Sequence, residues 1–209
     1  MIRTFIKLRP LLSDKLKNPL PGSKAQYIMA PQFRYKGETP QNCIRAAVSI
    51  LIFPKDETLS FPLIKRTVDG GPHSGQVSFP GGKVDSIDIS IENTAIRELN
   101  EEIGCQIPID NIIGQLTELY IPVSNTLVTP FVCISDQTGF WNPDLKEVER
   151  VIDVSLASLL DHSIVKTEKR NLMNRETLIP YFDIEGEKVW GATAMILSEF
   201  KEIIKQLVV

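Results

Sequence analysis

The stretch from Gly81 to Cys105 constrains this chain most, because it predicts both a packed helix and a place for chemistry. It reads GGKVDSIDISIENTAIRELNEEIGC. Apolar residues recur every four positions, which predicts a helix with one core-facing stripe, at Ile91, Ala95, Leu99 and Ile103. Asp88 or Ser90 can cap the start of this helix, and Gly104 is a typical stop.

Three carboxylates share one side of the predicted helix. At 100° per residue, Glu98, Glu101 and Glu102 fall within an arc of roughly 100°. Like charges at this spacing repel one another, and no basic residue follows them closely. Because Glu98 and Glu102 lie at the edge of the apolar stripe, we expect them at a mouth between the helix and a sheet. The cluster therefore predicts a divalent metal site.

The rest of the chain has the pattern of a sheet covered by helices. Short apolar runs rich in β-branched residues predict buried strands at residues 44–53 and 58–66, joined by a hairpin turn, and two or three more between 112 and 134. A polar-to-apolar strand is expected at 171–182, and an amphipathic helix at 192–208. These elements favour an α+β fold, an α/β/α sandwich in which helices flank a central mixed β-sheet.

The first 40 residues are expected to pack on the body of the protein. Residues 1–17 suit an amphipathic helix, kinked or restarted near Pro10, that docks on the core or else contacts a membrane surface or a partner. Residues 18–40 contain four prolines and two glycines, which predicts an irregular connection. The main domain would then span residues 41–209.

Charge and cysteine content exclude several classes of function. The net charge of −3 supplies no broad basic surface for nucleic acid or anionic membranes. Cys43, Cys105 and Cys133 contain no CxxC pair, so they predict buried thiols in a reducing compartment. No apolar run approaches the length of a membrane span, and the N-terminus lacks the apolar core of a secretory signal. We expect a cytoplasmic protein without nucleic-acid or membrane partners, and a homodimer is compatible with the sequence.

The helix motif resembles that of a known family. Arg97-Glu98-Leu99-x-Glu101-Glu102-x-Gly104, after the glycine pair, is similar to the Nudix box, which is a glycine, a later carboxylate and then R-E-x-x-E-E-x-G. The interval from Gly82 to Arg97 is one residue longer than usual. The early carboxylate of the box is consequently either Asp85 or Asp88.

The preceding segment resembles one branch of that family. Residues 63–67 and the run H-x-G-Q-V-S-F-P-G-G at 73–82 are similar to the extended motif of the coenzyme A pyrophosphatases, which carry the same one-residue insertion. Two positions depart from that branch, because Lys65 stands in place of a threonine and Gly71 in place of an arginine.

The resemblance implies a metal-dependent catalytic site on the helix. The expected Mg²⁺ or Mn²⁺ ligands are Glu98 and Glu102, with Glu101 sharing or bridging and the main-chain carbonyl near Gly81 adding a further oxygen. Arg97 would orient a glutamate through a charge-assisted hydrogen bond. The general base is either a helix glutamate or a carboxylate from another loop, for which Glu147 is the best outside candidate.

Substrate contacts are expected from the strand and loop that precede the glycines. Arg66 at a strand end could meet phosphate, and His73, Gln76 and Ser78 lie inside the matched motif. Phe79 could stack on the substrate, although packing in the core is favoured. The two tryptophans, Trp141 and Trp190, could likewise either stack on the substrate or pack in the core.

The resemblance implies hydrolysis of a small-molecule diphosphate, namely coenzyme A or a derivative, to 3′,5′-ADP and 4′-phosphopantetheine. Two alternatives stay open. The first is a hydrolase of another nucleoside diphosphate derivative such as ADP-ribose, which the departures at positions 65 and 71 motivate. The second is a catalytically silent ligand-sensing domain of the same fold, against which the complete set of three glutamates argues.

Overall fold

Most of the strands join in one mixed sheet. The computed structural model describes residues 2–34, 37–68, 70, 73–136, 139–172 and 175–207, with the side chains of residues 2–6 and 172 set aside. The strands of this eight-stranded sheet are β1 (Ile44–Lys55), β2 (Thr58–Arg66), β3 (Val77–Ser78), β4 (Gly81–Lys83), β5 (Ile112–Gln115), β6 (Leu119–Ile121), β7 (Thr126–Ile134) and β8 (Val148–Ser155).

The two central strands of the sheet, β1 and β2, separate from each other beyond their shared turn. These strands pair antiparallel only beside their hairpin turn, from Phe53↔Ser60 to Lys55↔Thr58. Further along, β1 pairs with β4 while β2 pairs with β3. On its other side β1 runs parallel to β7, and β2 pairs antiparallel with β8. The predicted mixed sheet is confirmed, and the divergence of β1 and β2 leaves room at one end for the glycine pair.

Helices cover both faces of the sheet. They are α1 (Ile2–Lys17), α2 (Gly22–Gln26), α3 (Ile91–Ile103), α4 (Leu156–Leu160) and α5 (Gly191–Lys205). Ala95, Leu99 and Ile103 of α3 are fully buried in one core cluster with strand residues such as Leu51. Helices α1 and α5 pack on the opposite face in a second, larger cluster that includes Phe61. Helix α3 follows an extended Ser90 and ends at Gly104, whose φ of 69° is left-handed.

The N-terminal segment packs on the domain. Helix α1 is continuous through Pro10, so the predicted restart was wrong, and the predicted kink stays a prediction. Leu12 and Leu16 are buried in the larger cluster, which confirms that the helix docks on the protein's own core. The irregular connection predicted for residues 18–40 was wrong in part, because α2 and a 3₁₀ turn at Tyr27–Met29 form there. The domain boundary near residue 40 stays a prediction.

A smaller three-stranded sheet lies beside the main one. It consists of β9 (Val165–Leu172), β10 (Arg175–Ile184) and β11 (Glu187–Trp190) in the order β11-β10-β9. The strand expected at 171–182 corresponds mainly to β10, which pairs with β11 across Glu185-Gly186, whereas β9 was not predicted. None of the helices in the described part of the chain combines the length and the apolar character that crossing a bilayer requires.

Candidate functional site

The glycine pair lets helix α3 approach β4 closely. A Cβ atom on Gly82 would lie 2.4 Å from Glu98 Oε1, and one on Gly81 would lie 2.3 Å from the carbonyl oxygen of Ala47. A side chain at either position would therefore displace the helix or the strand. The Gly81 N–H donates to Glu102 Oε2 at 2.8 Å. The two acids at the edge of the apolar stripe thus lie directly against the glycines.

Arg97 is the centre of a network of charged groups. Its Nε and Nη2 donate to the two carboxylate oxygens of Asp88, at 2.9 and 3.0 Å. Thr94 Oγ1 also donates to Asp88, and this set of bonds, led by Arg97, holds the pKa of Asp88 well below its usual range. The Nη1 of Arg97 donates to Glu98 Oε1 and Glu101 Oε2, each at 2.8 Å. Asp88 therefore orients Arg97, which orients two of the helix acids.

The helix acids line a cleft of about 530 Å³ that also receives groups from three other segments. Strand β2 contributes its last residue, and the turn before β8 contributes two acids. The lining residues are Arg66, Gly82, Lys83, Val84, Asp85, Arg97, Glu98, Glu101, Glu102, Asp144 and Glu147. Three cations therefore stand among six carboxylates in one concave site, which is suited to a ligand that carries phosphate and needs a cation.

Glu102 is a buried acid whose ionised form is poorly solvated. The residue is 2% exposed, and Arg66 Nη1 donates to its Oε1 at 3.1 Å. Desolvation raises the pKa of Glu102 to about 7, and the charges of Glu98 and Glu147 act in the same direction. Desolvation also raises the pKa of Glu98. Two such acids in one cleft favour the uptake of either a proton or a cation.

The donor set fits a hard divalent cation. Mg²⁺ and Mn²⁺ prefer carboxylate and carbonyl oxygens, which Glu98, Glu101, Glu102 and the Gly81 carbonyl could supply. Across the ranges that the structure describes, no three acidic, histidine or cysteine side chains converge as they would around a metal ion. Their oxygens instead accept from Arg97, Arg66 and the Gly81 N–H. A bound cation would have to replace some of these hydrogen bonds.

The structure brings together some of the predicted residues and separates others. Arg66 and Glu147 line the same cleft as Arg97 and the helix acids, although neither belongs to the helix. His73 and Gln76 lie in the neighbouring loop, where His73 Nδ1 and Gln76 Oε1 are 3.3 Å apart, and Ser78 is half-buried on β3. These three stay predicted substrate contacts outside the cleft lining.

The prediction that Phe79 contacts the substrate was wrong, and the favoured alternative of core packing is the one observed. Its side chain is 1% exposed and packs in the larger core cluster, with its ring centroid 6.2 Å from that of Phe61. It cannot stack on a substrate in this arrangement, because it follows β3 into the interior rather than into the cleft. Trp141 likewise packs on Phe53 and donates to Asp153.

Two charged cleft residues, Lys83 and Asp144, were missed by the sequence interpretation. Of the two candidates for the early carboxylate, Asp85 lines the cleft, whereas Asp88 lies outside the lining and is the one that bonds to Arg97. Asp144 lies three residues before Glu147, a turn spacing that could have indicated a shared position. Lys83 follows the glycine pair directly, and that adjacency was the available signal.

We expect the metal-free protein to lose stability as the pH rises from about 4.5 to about 7, because of Glu102. Its folded pKa of about 7 lies above the ordinary 4.5, so the unfolded chain releases this proton first and deprotonation favours unfolding. The loss is complete above pH 7 and amounts to at most about 3 kcal/mol.

Urea unfolding in EDTA between about pH 4 and pH 8.5 measures this effect. Glu102→Gln should be about 1–3 kcal/mol more stable than the wild type above pH 7 and equally stable below pH 4.5. Glu92→Gln, in the first turn of the same helix, controls for the loss of one acidic charge. A difference between Glu102→Gln and wild type that does not vary with pH would contradict the assignment.

Comparison with known families gives a consistent match. The family model described as NUDIX domain matches residues 36–173. Nudix hydrolase 15, mitochondrial, of Arabidopsis thaliana is 37% identical over 160 residues, which are 73% of this chain and 56% of that protein. Mitochondrial coenzyme A diphosphatase NUDT8 of Mus musculus is 33% identical over 60% of this chain and 61% of its own length. The match thus spans little more than half of these first two relatives.

Two further comparisons cover more of the matched protein. The NUDT8 diphosphatase of Homo sapiens is 31% identical over 176 residues, which are 78% of this chain and 72% of that protein. Among solved structures, a MutT/nudix family protein from Enterococcus faecalis superposes with a TM-score of 0.55 at 17% identity, covering 82% of this chain and 66% of that chain. The solved structure supports the fold alone.

Proposed function

Because the chain belongs to the Nudix family, we propose that it hydrolyses the diphosphate linkage of coenzyme A or a coenzyme A derivative. The products would be 3′,5′-ADP and 4′-phosphopantetheine or its derivative. The two NUDT8 relatives named as coenzyme A diphosphatases support this substrate. The observation that carries the proposal is the single cleft in which Arg66 and Arg97 stand among Glu98, Glu102 and Glu147.

In this proposal the cleft binds the diphosphate through its cations. Arg66 ends strand β2 and Lys83 ends β4, and both residues line the cleft. Both can contact phosphoryl oxygens, and the planar guanidinium suits two oxygens at once. Mg²⁺ or Mn²⁺, held by Glu98, Glu101, Glu102 and the Gly81 carbonyl, would neutralise developing phosphoryl charge and lower the pKa of the attacking water.

We assign the general base to Glu147. Among the residues that the structure describes, no donor is bonded to its carboxylate, which leaves that carboxylate available to take a proton from water. Both oxygens of Glu102, by contrast, already accept hydrogen bonds from Gly81 and Arg66. The turn that carries Glu147 is fixed by the Thr67 N–H, which donates to the Glu147 carbonyl at 2.9 Å.

A hydrolase of another nucleoside diphosphate derivative, such as ADP-ribose, is the second candidate. Gly71, which lies outside the described residues, replaces the arginine of the coenzyme A branch. Lys65, the other departure, is outside the cleft lining and pairs with Glu187 Oε2 at 2.6 Å. Neither position therefore offers a free cation to the 3′-phosphate that distinguishes coenzyme A, which favours substrates without it.

A substrate panel tests these alternatives. The purified chain is incubated with Mn²⁺ or Mg²⁺ and with coenzyme A, ADP-ribose or diadenosine tetraphosphate, and the products are separated by chromatography. We expect kcat/KM for coenzyme A to be at least about 10-fold higher than for the others, with no turnover in EDTA. Faster cleavage of ADP-ribose would overturn the coenzyme A assignment. Turnover of none would overturn both hydrolase proposals in favour of a ligand-sensing domain.

A further inference from the structure

Two exposed apolar residues lie close in the chain to residues that line the cleft. Val68 is 82% exposed and Leu145 is 73% exposed. Val68 lies two residues after Arg66, and Leu145 lies between Asp144 and Glu147, all of which line the cleft. At about 3.3 Å per residue, the Cα atom of each apolar residue is within roughly 7 Å of the Cα atom of a lining residue in the same chain segment.

The segments that carry these side chains are bonded to each other. The Thr67 N–H donates to the Glu147 carbonyl at 2.9 Å, and Thr67 Oγ1 donates to the Lys146 carbonyl at 2.9 Å. These bonds extend the β2–β8 ladder beyond its last residue pair, Arg66↔Val148. Val68 and Leu145 are the next residues outward on the two sides of this contact.

The backbone that carries both exposed side chains is fixed by local hydrogen bonds. Val68 Cγ2 lies 3.3 Å from the position that a Cβ on Gly75 would take, and the Gly75 N–H donates to the Thr67 carbonyl. Leu145 lies in a turn closed by Asp144, whose Oδ1 accepts from the Lys146 N–H at 3.0 Å. A ligand that covers these two side chains would therefore have little backbone to order, and the short valine and leucine side chains lose little rotamer freedom.

We propose that Val68 and Leu145 form an apolar lip that contacts the branched dimethyl segment of the pantetheine half of the substrate and so selects it. The proposal rests on the proposed function. When the diphosphate is bound in the cleft, the two halves of the substrate extend out of it in different directions. The nucleotide half continues into a ribose with polar hydroxyls, whereas the pantetheine half continues into a carbon that bears two methyl groups, one CH₂ from the phosphate ester oxygen. Only the pantetheine half therefore offers an apolar surface close enough to the phosphate to contact the lip.

Dephospho-coenzyme A and ADP-ribose form a matched pair for the test. Both are esters of adenosine 5′-diphosphate, and they differ only in the pantetheine or ribose on the second phosphate. Dissociation constants are measured by titration calorimetry in EDTA, where no turnover is needed, and kcat/KM is measured with Mn²⁺. We expect the wild type to prefer dephospho-coenzyme A by about 10-fold, which is the range that one or two apolar carbons provide in a site.

Substitution of the lip should remove this preference. Val68→Ser with Leu145→Ser is expected to lower the ratio of the two affinities about 10-fold, and Val68→Ile with Leu145→Met should retain it. The same chemical change at two exposed apolar residues elsewhere, Val123→Ser with Leu178→Ser, should leave the ratio unchanged. Val68→Thr keeps the side-chain shape and serves if the double serine variant unfolds.

The outcomes separate the lip from the proposed function. If the wild type shows no preference between the two esters, or if the lip variants change both affinities alike, the lip does not select the pantetheine half and the inference is overturned. A lip-dependent preference without turnover of either ester or of coenzyme A would support the lip and overturn the hydrolase proposal. Turnover of coenzyme A with a ratio that is insensitive to the lip would overturn the inference alone.

Discussion

Glu102→Gln is expected to lower kcat for coenzyme A by about 10³-fold while the chain still folds. The substitution keeps the shape of the side chain and one acceptor oxygen, but it removes a negative charge from a site where Arg66 and the Gly81 N–H already point. The charge is what would hold a divalent cation, and amide oxygens hold such cations far more weakly. Initial rates with Mn²⁺ measure the loss, and titration of Mn²⁺ followed by electron paramagnetic resonance measures metal affinity without turnover.

Two other glutamates of helix α3 are the matched controls. The Glu101 side chain is 55% exposed, and Arg97 is its only bonded partner among the residues that the structure describes, so Glu101→Gln should cost about 10-fold in kcat. Glu92→Gln, in the first turn, should have no effect on kcat. Equal losses in Glu101→Gln and Glu102→Gln would contradict the ranking by burial, and a wild-type rate in Glu102→Gln would exclude Glu102 as a metal ligand.

The strands and helices could be predicted from the sequence where runs or stripes of apolar residues indicate which side chains are buried. The apolar runs of β1 and β7 are buried on both faces and were recognised as strands for that reason. Strand β9 was missed because its residues are mostly exposed and polar, and its ladder with β10 carries exposed cross-strand ion pairs such as Lys169–Glu176 in place of an apolar stripe. Helix α2 was missed because Pro21 and Gly22 indicate a loop, although proline is tolerated at a helix start.

The site was predictable where it depends on helix geometry. Helical spacing alone placed Glu98 and Glu102 on the edge that meets the glycine pair, since the apolar stripe fixes which way the helix faces. Spacing could not show that Glu147 enters the same cleft, because that depends on the pairing of β2 with β8, some 80 residues apart. It also could not separate Asp85 from Asp88, because the path of an irregular loop decides which carboxylate meets Arg97.

The contact of Asp88 with Arg97 is expected to have a large effect on both activity and stability. Asp88→Ala should lower kcat by about 10²-fold and the free energy of unfolding by about 2 kcal/mol or more. Asp88 is 3% exposed in its side chain and accepts both Nε and Nη2 of Arg97, so its loss leaves a largely buried guanidinium without its bidentate partner. The arginine would then be free to turn further onto Glu98 and Glu101 and to compete with a cation for their oxygens.

Asp85→Ala is the control that the loop itself offers. Asp85 also lines the cleft, but it is exposed and bonds to its own neighbours, Ser86 and the Ile87 N–H, so its removal should change kcat less than about 3-fold. Because Asp88 acts through Arg97, Asp88→Ala should also weaken Mn²⁺ binding, whereas a purely structural role would lower stability and leave the metal affinity of the folded fraction unchanged. A larger loss in Asp85→Ala than in Asp88→Ala would show that Asp85, rather than Asp88, positions the arginine.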